Sequence, residues 1–363
     1  MLHVDAHLDL SMNALEWNRD LRQPVAAIRA REAGLTDRPD RGRGTVSFPE
    51  LRRGGFGLVV ATQIARYVAP GNPLPGWHSA EQAWAQTQGQ LAWYREMERL
   101  GEMRAVTDLA SLDGHLAAWQ SPGADQATLP IGYIRSLEGA DSLVTVDYLE
   151  QAVRDGLRAV GPAHYGPGRY APGTHTTGRL EAHGPALLAA MERLGVILDV
   201  THLSDDSLWQ ALDLFGGALW ASHHNARALV DDQRQLPDDQ IKAIVSRGAV
   251  IGASCDAWMI VPGWVRGSST PQSTGCTFER LADHVVHICE LAGSTRHVCI
   301  GSDLDGAFGT EQTPQEIDTI ADLPRLCDVL ATRGFDDDDL EGFRWRNVVE
   351  FLRAHWAGRE WIA

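Results

Sequence analysis

A histidine and an aspartate stand two positions apart in the apolar segment 4–9, near the start of the chain. Side chains alternate between the two faces of a β-strand, so His7 and Asp9 would project from one face, about 7 Å apart along the strand. An imidazole and a carboxylate placed in this way can bind one divalent metal of the zinc type. Short His-x-Asp pairs also arise by chance, so the interpretation depends on the other residues of ligand type.

Further side chains of ligand type follow separate apolar segments, at the points where buried strands would end. They are Glu138, His164, His202, His223 and Asp303. A lone buried histidine is more often an ordinary core residue with its hydrogen bonds satisfied. Burying seven titratable groups together, without a metal or mutual pairing, would cost several kcal/mol for each group. The set as a whole therefore indicates a site.

Imidazole nitrogens and carboxylates in this combination suit a site for two metals that share one carboxylate. Two metals roughly 3.5–4 Å apart can deprotonate a bridging water and polarise an amide carbonyl. An acid beside that water, such as Asp303, can accept its proton and later pass it to the departing amine. The pattern predicts metal-assisted hydrolysis of an amide.

Ligands gathered from several strand ends require a fold that brings those ends together. Eight short segments rich in Val, Ile, Leu and Ala have the nearly continuous apolar character of buried parallel strands. They cover residues 2–8, 57–65, 129–137, 157–163, 196–202, 218–223, 249–254 and 297–302. Segments with helical periodicity separate most of them, at 79–100, 178–194, 205–215, 237–247 and 277–292. Strands alternating with helices predict an α/β fold, a (β/α)8 TIM barrel with its chemistry at the carboxyl ends of the strands.

Two long insertions interrupt the alternation, after strands one and two. The first, 10–56, is predicted to be a long loop over the barrel mouth, and the second, 66–128, to contain helices at 79–100 and 107–119. After the last strand, 313–333 and 338–356 are predicted to be helices packed outside the barrel. No internal repeat or linker is evident, so residues 1–363 are expected to form a single domain.

Composition excludes several classes of partner. A net charge of -16 argues against binding to nucleic acid or to an anionic membrane surface. The chain has no apolar run long enough to span a bilayer, and the first strand would begin at Leu2, which leaves no room for a signal peptide. The five cysteines show no CxxC spacing and are odd in number, which favours reduced thiols and a cytoplasmic location.

The ordered set of motifs resembles one known family. His-x-Asp at residue 7, Glu-Gly at 138, Asp-x-Thr-His at 199, Ser-His at 222 and Gly-x-Asp-x-Asp-Gly at 301 are specific in combination, although no single one is. Together they resemble the membrane (renal) dipeptidase family of zinc peptidases, in its bacterial soluble branch, within the amidohydrolase superfamily. The resemblance runs through the whole chain.

The resemblance implies a role for each matching residue. His7 and Asp9 would bind a first zinc ion, His202 and His223 a second, and Glu138 would bridge the two together with a water or hydroxide. Asp303 corresponds to the family's proton-shuttling aspartate. His164 corresponds to a histidine that contacts the substrate and stabilises the oxyanion.

The family's substrate-carboxylate arginine has two candidates in this sequence. Arg234, four residues before Asp238, matches by the spacing to the Pro-Asp pair, and Arg227 lies nearby. A guanidinium fork at either position would suit a terminal carboxylate. His224 departs from the family pattern, and strand alternation predicts a structural role for it, facing away from His223. The loop 165–173 is rich in Gly and Pro and also departs from the animal enzymes.

The activity implied is that of a zinc-dependent dipeptidase cleaving free dipeptides, including those with a C-terminal D-residue. The alternatives are another dinuclear amidohydrolase, acting on cyclic amides or N-acyl amino acids, and a metal-free scaffold protein. A scaffold has no need of buried carboxylates, which counts against that reading. The expected partner is a small-molecule dipeptide, with no nucleic acid and no membrane, and a homodimer is left open.

Overall fold

The fold is built on nine β-strands, seen in a computed structural model that describes residues 1–362. The strands are β1 His3–Leu8, β2 Phe56–Ile64, β3 Met103–Ala105, β4 Ile131–Glu138, β5 Leu157–Gly161, β6 Ile197–Asp199, β7 Leu219–Trp220, β8 Ile251–Ala253 and β9 Val298–Ile300. They are buried almost throughout, as expected for parallel strands covered on both faces.

Eight of the strands form a nearly closed parallel barrel, in the spatial order β7-β6-β5-β4-β2-β1-β9-β8. A bridge between Ala221, just after β7, and Ile251 of β8 joins the two ends of this sheet. The strand β3 pairs only with the start of β4. Because all strands run in parallel, their carboxyl ends share one rim. The prediction of a TIM barrel is confirmed.

Helices surround the barrel and occupy the insertions. They are α1 Leu10–Leu15, α2 Val25–Arg31, α3 Phe48–Arg53, α4 Ala80–Arg99, α5 Leu109–Gln120, α6 Tyr148–Arg154, α7 Gly184–Leu194, α8 Asp205–Leu214, α9 Asp238–Ser246, α10 Ala257–Ile260, α11 Pro271–Thr274, α12 Phe278–Ala292, α13 Leu326–Thr332, α14 Asp337–Glu341 and α15 Asn347–Trp356. Ser204 caps α8 by accepting a hydrogen bond from the Ser207 amide, and Gly195 ends α7 at a φ of 74°. None of the helices in residues 1–362 has the length and apolar character needed to span a bilayer.

One hydrophobic core joins the strands to the surrounding helices. It extends from Leu2 at the start of the chain to Trp356 at the end of α15. Trp220 of β7 illustrates the packing, since its ring lies 5.6 Å from that of Phe351 on α15. The helix α15 therefore packs against the outside of the barrel at β7.

Several predicted boundaries were wrong, for local reasons. The segment 10–56 contains α1, α2 and α3 and is not simply a loop. The strand β3 was missed because three residues with one exposed side chain give no strand signal. Predicted helix 178–194 begins only at Gly184, with Pro185 in its first turn, and 313–333 is helical only from the 3-10 segment at Ile320–Arg325. Proline fits the first turn of a helix but not its interior, which explains why α7 begins at Gly184.

The first insertion is anchored at the barrel mouth by a group of charges, called here the Arg19 cluster: buried Arg19, Glu32, Asp40 and Asp305, with half-buried Arg41. Arg19 Nε lies 2.8 Å from Glu32 Oε1, and its Nη2 lies 2.9 Å from Asp40 Oδ2. Asp305 Oδ1 accepts a hydrogen bond of 2.7 Å from the Thr45 amide, and its Oδ2 lies 3.6 Å from Arg19 Nη1. The cluster ties the insertion to the segment that follows β9.

Candidate metal centre

The carboxyl ends of the strands converge on the carboxylate of Glu138, the last residue of β4. Its Oε1 lies 3.1 Å from His202 Nε2 and 3.5 Å from His223 Nε2. Its Oε2 lies 3.5 Å from His7 Nε2. All four side chains are buried. Glu138 thus stands between a histidine from β1 and two histidines that follow β6 and β7, where a bridging ligand would lie.

Two carboxylates complete the centre on the His7 side. Asp9 Oδ1 and Asp303 Oδ1 lie 3.9 Å and 3.8 Å from His7 Nε2. Ligand atoms within 4.8 Å of one another form three overlapping groups: His7 with Asp9 and Glu138, His7 with His223 and Asp303, and Glu138 with His164 and His202. All seven residues singled out at strand ends therefore lie in one cluster.

Two of these residues adopt backbone conformations that favour glycine. His202 has a φ of 69° and Asp303 a φ of 57°. Left-handed backbone is uncommon for other residues and costs free energy, so it persists where the surrounding structure and the function require it. Glycine is also required at position 306, because a Cβ there would lie 2.2 Å from Asp303 Oδ1. The glycine of the Asp-x-Asp-Gly motif makes room for the carboxylate.

Hydroxyl groups hold the ligands from behind. The Ser222 hydroxyl contacts His7 Nδ1 at 3.2 Å and His223 Nδ1 at 3.0 Å, and the Thr174 hydroxyl contacts His202 Nδ1 at 2.8 Å. These contacts leave Nε2 of every ring directed at the centre. Partners of this kind fix the orientation and the tautomer of a metal-binding histidine. The Thr62 hydroxyl makes an equivalent contact with Asp9.

The charges at the centre are predominantly negative. Burial lowers the pKa of His7, but the charges of Glu138, Asp9 and Asp303 outweigh this effect and raise the pKa to about 10. Burial, reinforced by Glu138, raises the pKa of Asp9 to about 7. Burial also raises the pKa of Asp303 well above its usual range, with Asp9 and Glu138 adding to the effect. The raised pKa values of His7, Asp9 and Asp303 indicate that the clustered carboxylates need a positive charge among them.

The donor set fits a divalent metal of the zinc type. Within residues 1–362, His7 Nε2 and Glu138 Oε2 are buried and have no hydrogen-bond partner. Unpaired buried polar atoms are rare in folded proteins and call for an explanation. The two atoms lie 3.5 Å apart, and they repel each other unless a proton or a metal lies between them. Imidazole nitrogens and carboxylate oxygens are also ligands that zinc accepts.

Comparison with known families agrees with this site. The profile of the membrane dipeptidase family, peptidase family M19, matches residues 1–358. The chain belongs to this family. The resemblance seen in the sequence motifs is therefore confirmed, and the M19 family is one of metal-dependent dipeptidases.

Relatives of this M19 chain include dipeptidases named as such. Dipeptidase aclJ of Aspergillus oryzae is 26% identical over 352 residues, which cover 96% of this chain and 77% of that protein. An uncharacterised Klebsiella pneumoniae protein from the pqqA 5' region is 31% identical over 177 residues, 49% of this chain and 61% of that protein. An uncharacterised dipeptidase of Schizosaccharomyces pombe, C3A11.10c, matches over 40% of its length at 28% identity. The matched segments thus span less than two thirds of these last two relatives.

Solved structures share the fold of this M19 chain. A metallopeptidase named dipeptidase AC has a TM-score of 0.78 at 24% identity, over 99% of both chains. A metallopeptidase from Rhodobacter sphaeroides, liganded with a phosphinate mimic of the dipeptide L-Ala-D-Ala, has a TM-score of 0.76 at 23% identity, over 98% of this chain and 99% of that one. At 24% and 23% sequence identity, these two structures show that the chain shares their fold.

His164 faces Glu138 and is held from behind by Arg66, a residue that the sequence motifs did not reveal. His164 Nε2 lies 3.8 Å from Glu138 Oε1, and its Nδ1 lies 2.6 Å from Arg66 Nη2. A guanidinium can only donate, so we assign Nδ1 as the acceptor and Nε2 as the protonated nitrogen. Burial, opposed by Glu138 and reinforced by Arg66, lowers the pKa of His164 to about 3. The ring is neutral, with an N–H directed at the centre.

The two candidate arginines differ in their contacts. Arg227 makes two ion-pair contacts of 2.8 Å with the carboxylate of Asp205. Arg234 is buried, its Nη2 donates to the His223 carbonyl at 2.9 Å, and its Nη1 has no partner within residues 1–362. His224 Nε2 contacts the Arg234 carbonyl at 2.8 Å, so this histidine supports the Arg234 segment. Of the two arginines, Arg234 has the buried donor that still lacks an acceptor.

The Gly- and Pro-rich loop borders the centre. Tyr165, next to His164, places its ring 5.3 Å from the ring of His202. Thr174, the hydroxyl partner of His202, follows the loop directly, and its amide donates to the His164 carbonyl at 2.9 Å. The turn of the loop therefore places the hydroxyl that supports His202. Nothing in its sequence spacing marks Thr174 or Arg66 as members of the site.

Proposed function

We propose that the protein is a dinuclear zinc dipeptidase that hydrolyses the single amide bond of free dipeptides. The observation that carries the proposal is the unpaired Nη1 of buried Arg234 beside the metal centre. A free dipeptide offers a terminal carboxylate within one residue of its scissile bond. The Arg234 guanidinium contacts the backbone of the ligand residue His223, so it lies close enough to the centre to suit that short, charged substrate.

The residues that would hold the metals divide into two groups. His7 and Asp9 would bind one ion, His202 and His223 the other, and Glu138 would contact both. When bound, such ions lower the pKa of a water and withdraw electrons from the scissile carbonyl. Ser222 and Thr174 keep the imidazoles in the orientation that this arrangement needs.

Asp303 is proposed to move the proton. Its carboxylate would accept a proton from the attacking water and return it to the nitrogen of the departing amino acid. The left-handed backbone at Asp303 and the space left by Gly306 hold the carboxylate beside His7. The reaction therefore consumes one water and leaves Asp303 in its original state.

His164 is proposed to stabilise negative charge on the carbonyl oxygen as the bond breaks. Its neutral ring presents the Nε2 hydrogen, because Arg66 occupies Nδ1. A donor fixed before the reaction costs no reorganisation when charge develops.

The proposal extends to dipeptides with a D-residue at the C-terminus. The Rhodobacter sphaeroides structure of the same fold is described with a mimic of L-Ala-D-Ala, which supports that class of substrate. A cytoplasmic location is also proposed, because all five cysteines are free thiols. A homodimer stays a prediction, to be measured by analytical ultracentrifugation.

The test compares a dipeptide with its C-terminal amide. Replacing Arg234→Met leaves the substrate carboxylate buried and unpaired, at a cost of about 3–5 kcal/mol, so kcat/KM should fall by roughly 10²- to 10⁴-fold. The dipeptide amide should be a poor substrate for the unmodified enzyme and should change little in the variant. Steady-state kinetics with both compounds measure this.

Arg227→Met is the matched control, since that arginine is already paired with Asp205. It should keep the preference for the free carboxylate in correctly folded protein. Equal rates on dipeptide and dipeptide amide in the unmodified enzyme would contradict the proposal. Such rates would favour a hydrolase of cyclic amides or N-acyl amino acids.

A further inference from the structure

A cavity of about 440 Å³ opens beside His164 and is not used by the chemistry described above. Its walls include Met12 and Ile64 and the indole rings of Trp17 and Trp77. This volume lies in the range of small-ligand sites, about 300–1,000 Å³. Because His164 belongs to both the cavity and the metal centre, the cavity adjoins the place where the amide bond would be cleaved.

The cavity lies opposite the proposed carboxylate site. In the eight-strand ring, β2 is four strands from β7 in either direction. Ile64 is the last residue of β2 and Arg66 follows it, whereas Arg234 lies after β7. On the proposed dipeptidase function, a dipeptide with its C-terminal carboxylate at Arg234 would direct its N-terminal residue toward the β2 side. The cavity is therefore placed to receive the side chain of the N-terminal residue.

The cavity contains a guanidinium, that of Arg38, which feels the charge of Glu16 but makes no close ion pair with it. The Arg38 guanidinium carbon lies 3.7 Å from the ring centroid of Trp17, in a cation–π contact. Its one hydrogen bond is a long contact of 3.5 Å to the Glu16 carbonyl. Within residues 1–362, Arg38 has no carboxylate oxygen within 4 Å, so most of its N–H groups remain available.

The remaining charges in the cavity also favour an anion. Arg66 adds a second guanidinium, whose donors serve His164 and the Pro75 carbonyl. The one carboxylate in the lining is Glu16, which accepts a hydrogen bond of 3.3 Å from Gln86. Two guanidinium groups against one carboxylate leave an excess of positive charge, in a chain whose net charge is -16.

We propose that this cavity is the subsite for the N-terminal side chain and that Arg38 makes it selective for a carboxylate, so that dipeptides beginning with glutamate or aspartate are preferred. The apolar walls would contact the methylene groups of the side chain. The guanidinium of Arg38, held flat on Trp17, would pair with its carboxylate.

The experiment measures kcat/KM of the zinc-loaded protein on L-Glu-L-Ala, L-Gln-L-Ala, L-Lys-L-Ala and L-Ala-L-Ala. Glutamate and glutamine differ only in charge, and a charge-assisted pair in a partly enclosed site should favour glutamate by about 10- to 100-fold. In Arg38→Met the ratio of glutamate to glutamine should fall to near one, and in Arg38→Glu the lysine dipeptide should become the better substrate. Ratios within one variant do not depend on its yield of folded protein.

Arg31→Met is the matched control, because it removes an exposed arginine of the same insertion that does not line the cavity. It should keep the glutamate preference of the unmodified protein. Equal kcat/KM for glutamate and glutamine dipeptides, a preference for lysine, or an unchanged ratio in Arg38→Met would overturn the subsite. If no dipeptide is hydrolysed by the zinc-loaded protein, the dipeptidase function itself fails and the subsite falls with it.

Discussion

Two clusters of buried charges lie side by side at the barrel mouth, and they are stabilised in different ways. In the Arg19 cluster the charges alternate in sign, and Arg19 contacts Glu32 and Asp40 at 2.8 Å and 2.9 Å. In the metal centre, imidazole nitrogens face carboxylate oxygens, and His7 Nε2 and Glu138 Oε2 have no hydrogen-bond partner within residues 1–362. The first cluster satisfies its own charges. In the second, the two atoms need a proton or a metal between them, and the donor set is one that a divalent metal can use.

One short segment supplies both clusters. Asp303 belongs to the metal centre and Asp305 to the Arg19 cluster, and both have left-handed backbone, with φ of 57° and 64°. Asp305 accepts hydrogen bonds from the Thr45 amide and hydroxyl, both at 2.7 Å. Two aspartates of one motif thus have different surroundings, because Asp305 faces hydrogen-bond donors and Asp303 faces the metal-ligand cluster. Residue type alone does not distinguish a carboxylate beside a metal centre from one that anchors a loop.

Removing metal should have the largest effect, and it should act on the metal centre and not on the Arg19 cluster. A chelator should abolish activity and lower the unfolding temperature, because an ion bound at 1,000 times its Kd stabilises the folded state by about 4 kcal/mol. Added zinc should restore both, since the ligands need only be deprotonated to bind it. Activity assays, thermal unfolding and elemental analysis measure these changes. Active protein that contains less than about one metal per chain would contradict the assignment of the centre.

Disrupting the Arg19 cluster should lower the stability of the fold without affecting metal binding. Replacing Arg19→Met leaves buried carboxylates without their counter-charge, so the free energy of unfolding should fall by about 3–5 kcal/mol. Metal content per folded chain should stay the same. Arg22→Met is the control, because Arg22 pairs with Asp20 at 2.8 Å on the surface, and such pairs contribute about 1 kcal/mol or less. Denaturant unfolding of the two variants tests this, and equal losses would show that the buried cluster has no special role.

The two aspartates of the motif provide the finest comparison. Asp303→Asn keeps the size of the side chain and tolerates left-handed backbone, but it cannot accept the proton, so kcat should fall by roughly 10²-fold with metal retained. Asp305→Asn should keep kcat per folded molecule and lose about 1–3 kcal/mol of stability, because a buried acceptor is changed. Kinetics and unfolding curves on both variants separate the roles. The roles assigned here would be reversed if Asp305→Asn lost turnover and Asp303→Asn lost only stability.

Parts of the fold were predictable because they depend on local patterns. The eight apolar segments, the cap at Ser204 and the helix end at Gly195 follow from burial, hydrogen bonding to a helix terminus and glycine's access to positive φ. The helices of the first insertion were not predicted. They are six or seven residues long, too short to give a clear period, and packing against the barrel stabilises them.

The sequence by itself determined the kinds of ligand in the site and the order in which the strands supply them. Parallel strands in a barrel end on one rim, so His7, Glu138, His202, His223 and Asp303 had to meet once the strands were recognised. Only the tertiary structure paired Arg227 with Asp205, left Nη1 of Arg234 without an acceptor within residues 1–362, and brought Arg66 and Thr174 behind the histidines. The contacts of Arg66, Thr174 and Arg234 are hydrogen bonds of 2.6–2.9 Å between residues 11 to 98 positions apart. Packing sets such distances to within a fraction of an ångström, and neither residue type nor spacing along the chain encodes them.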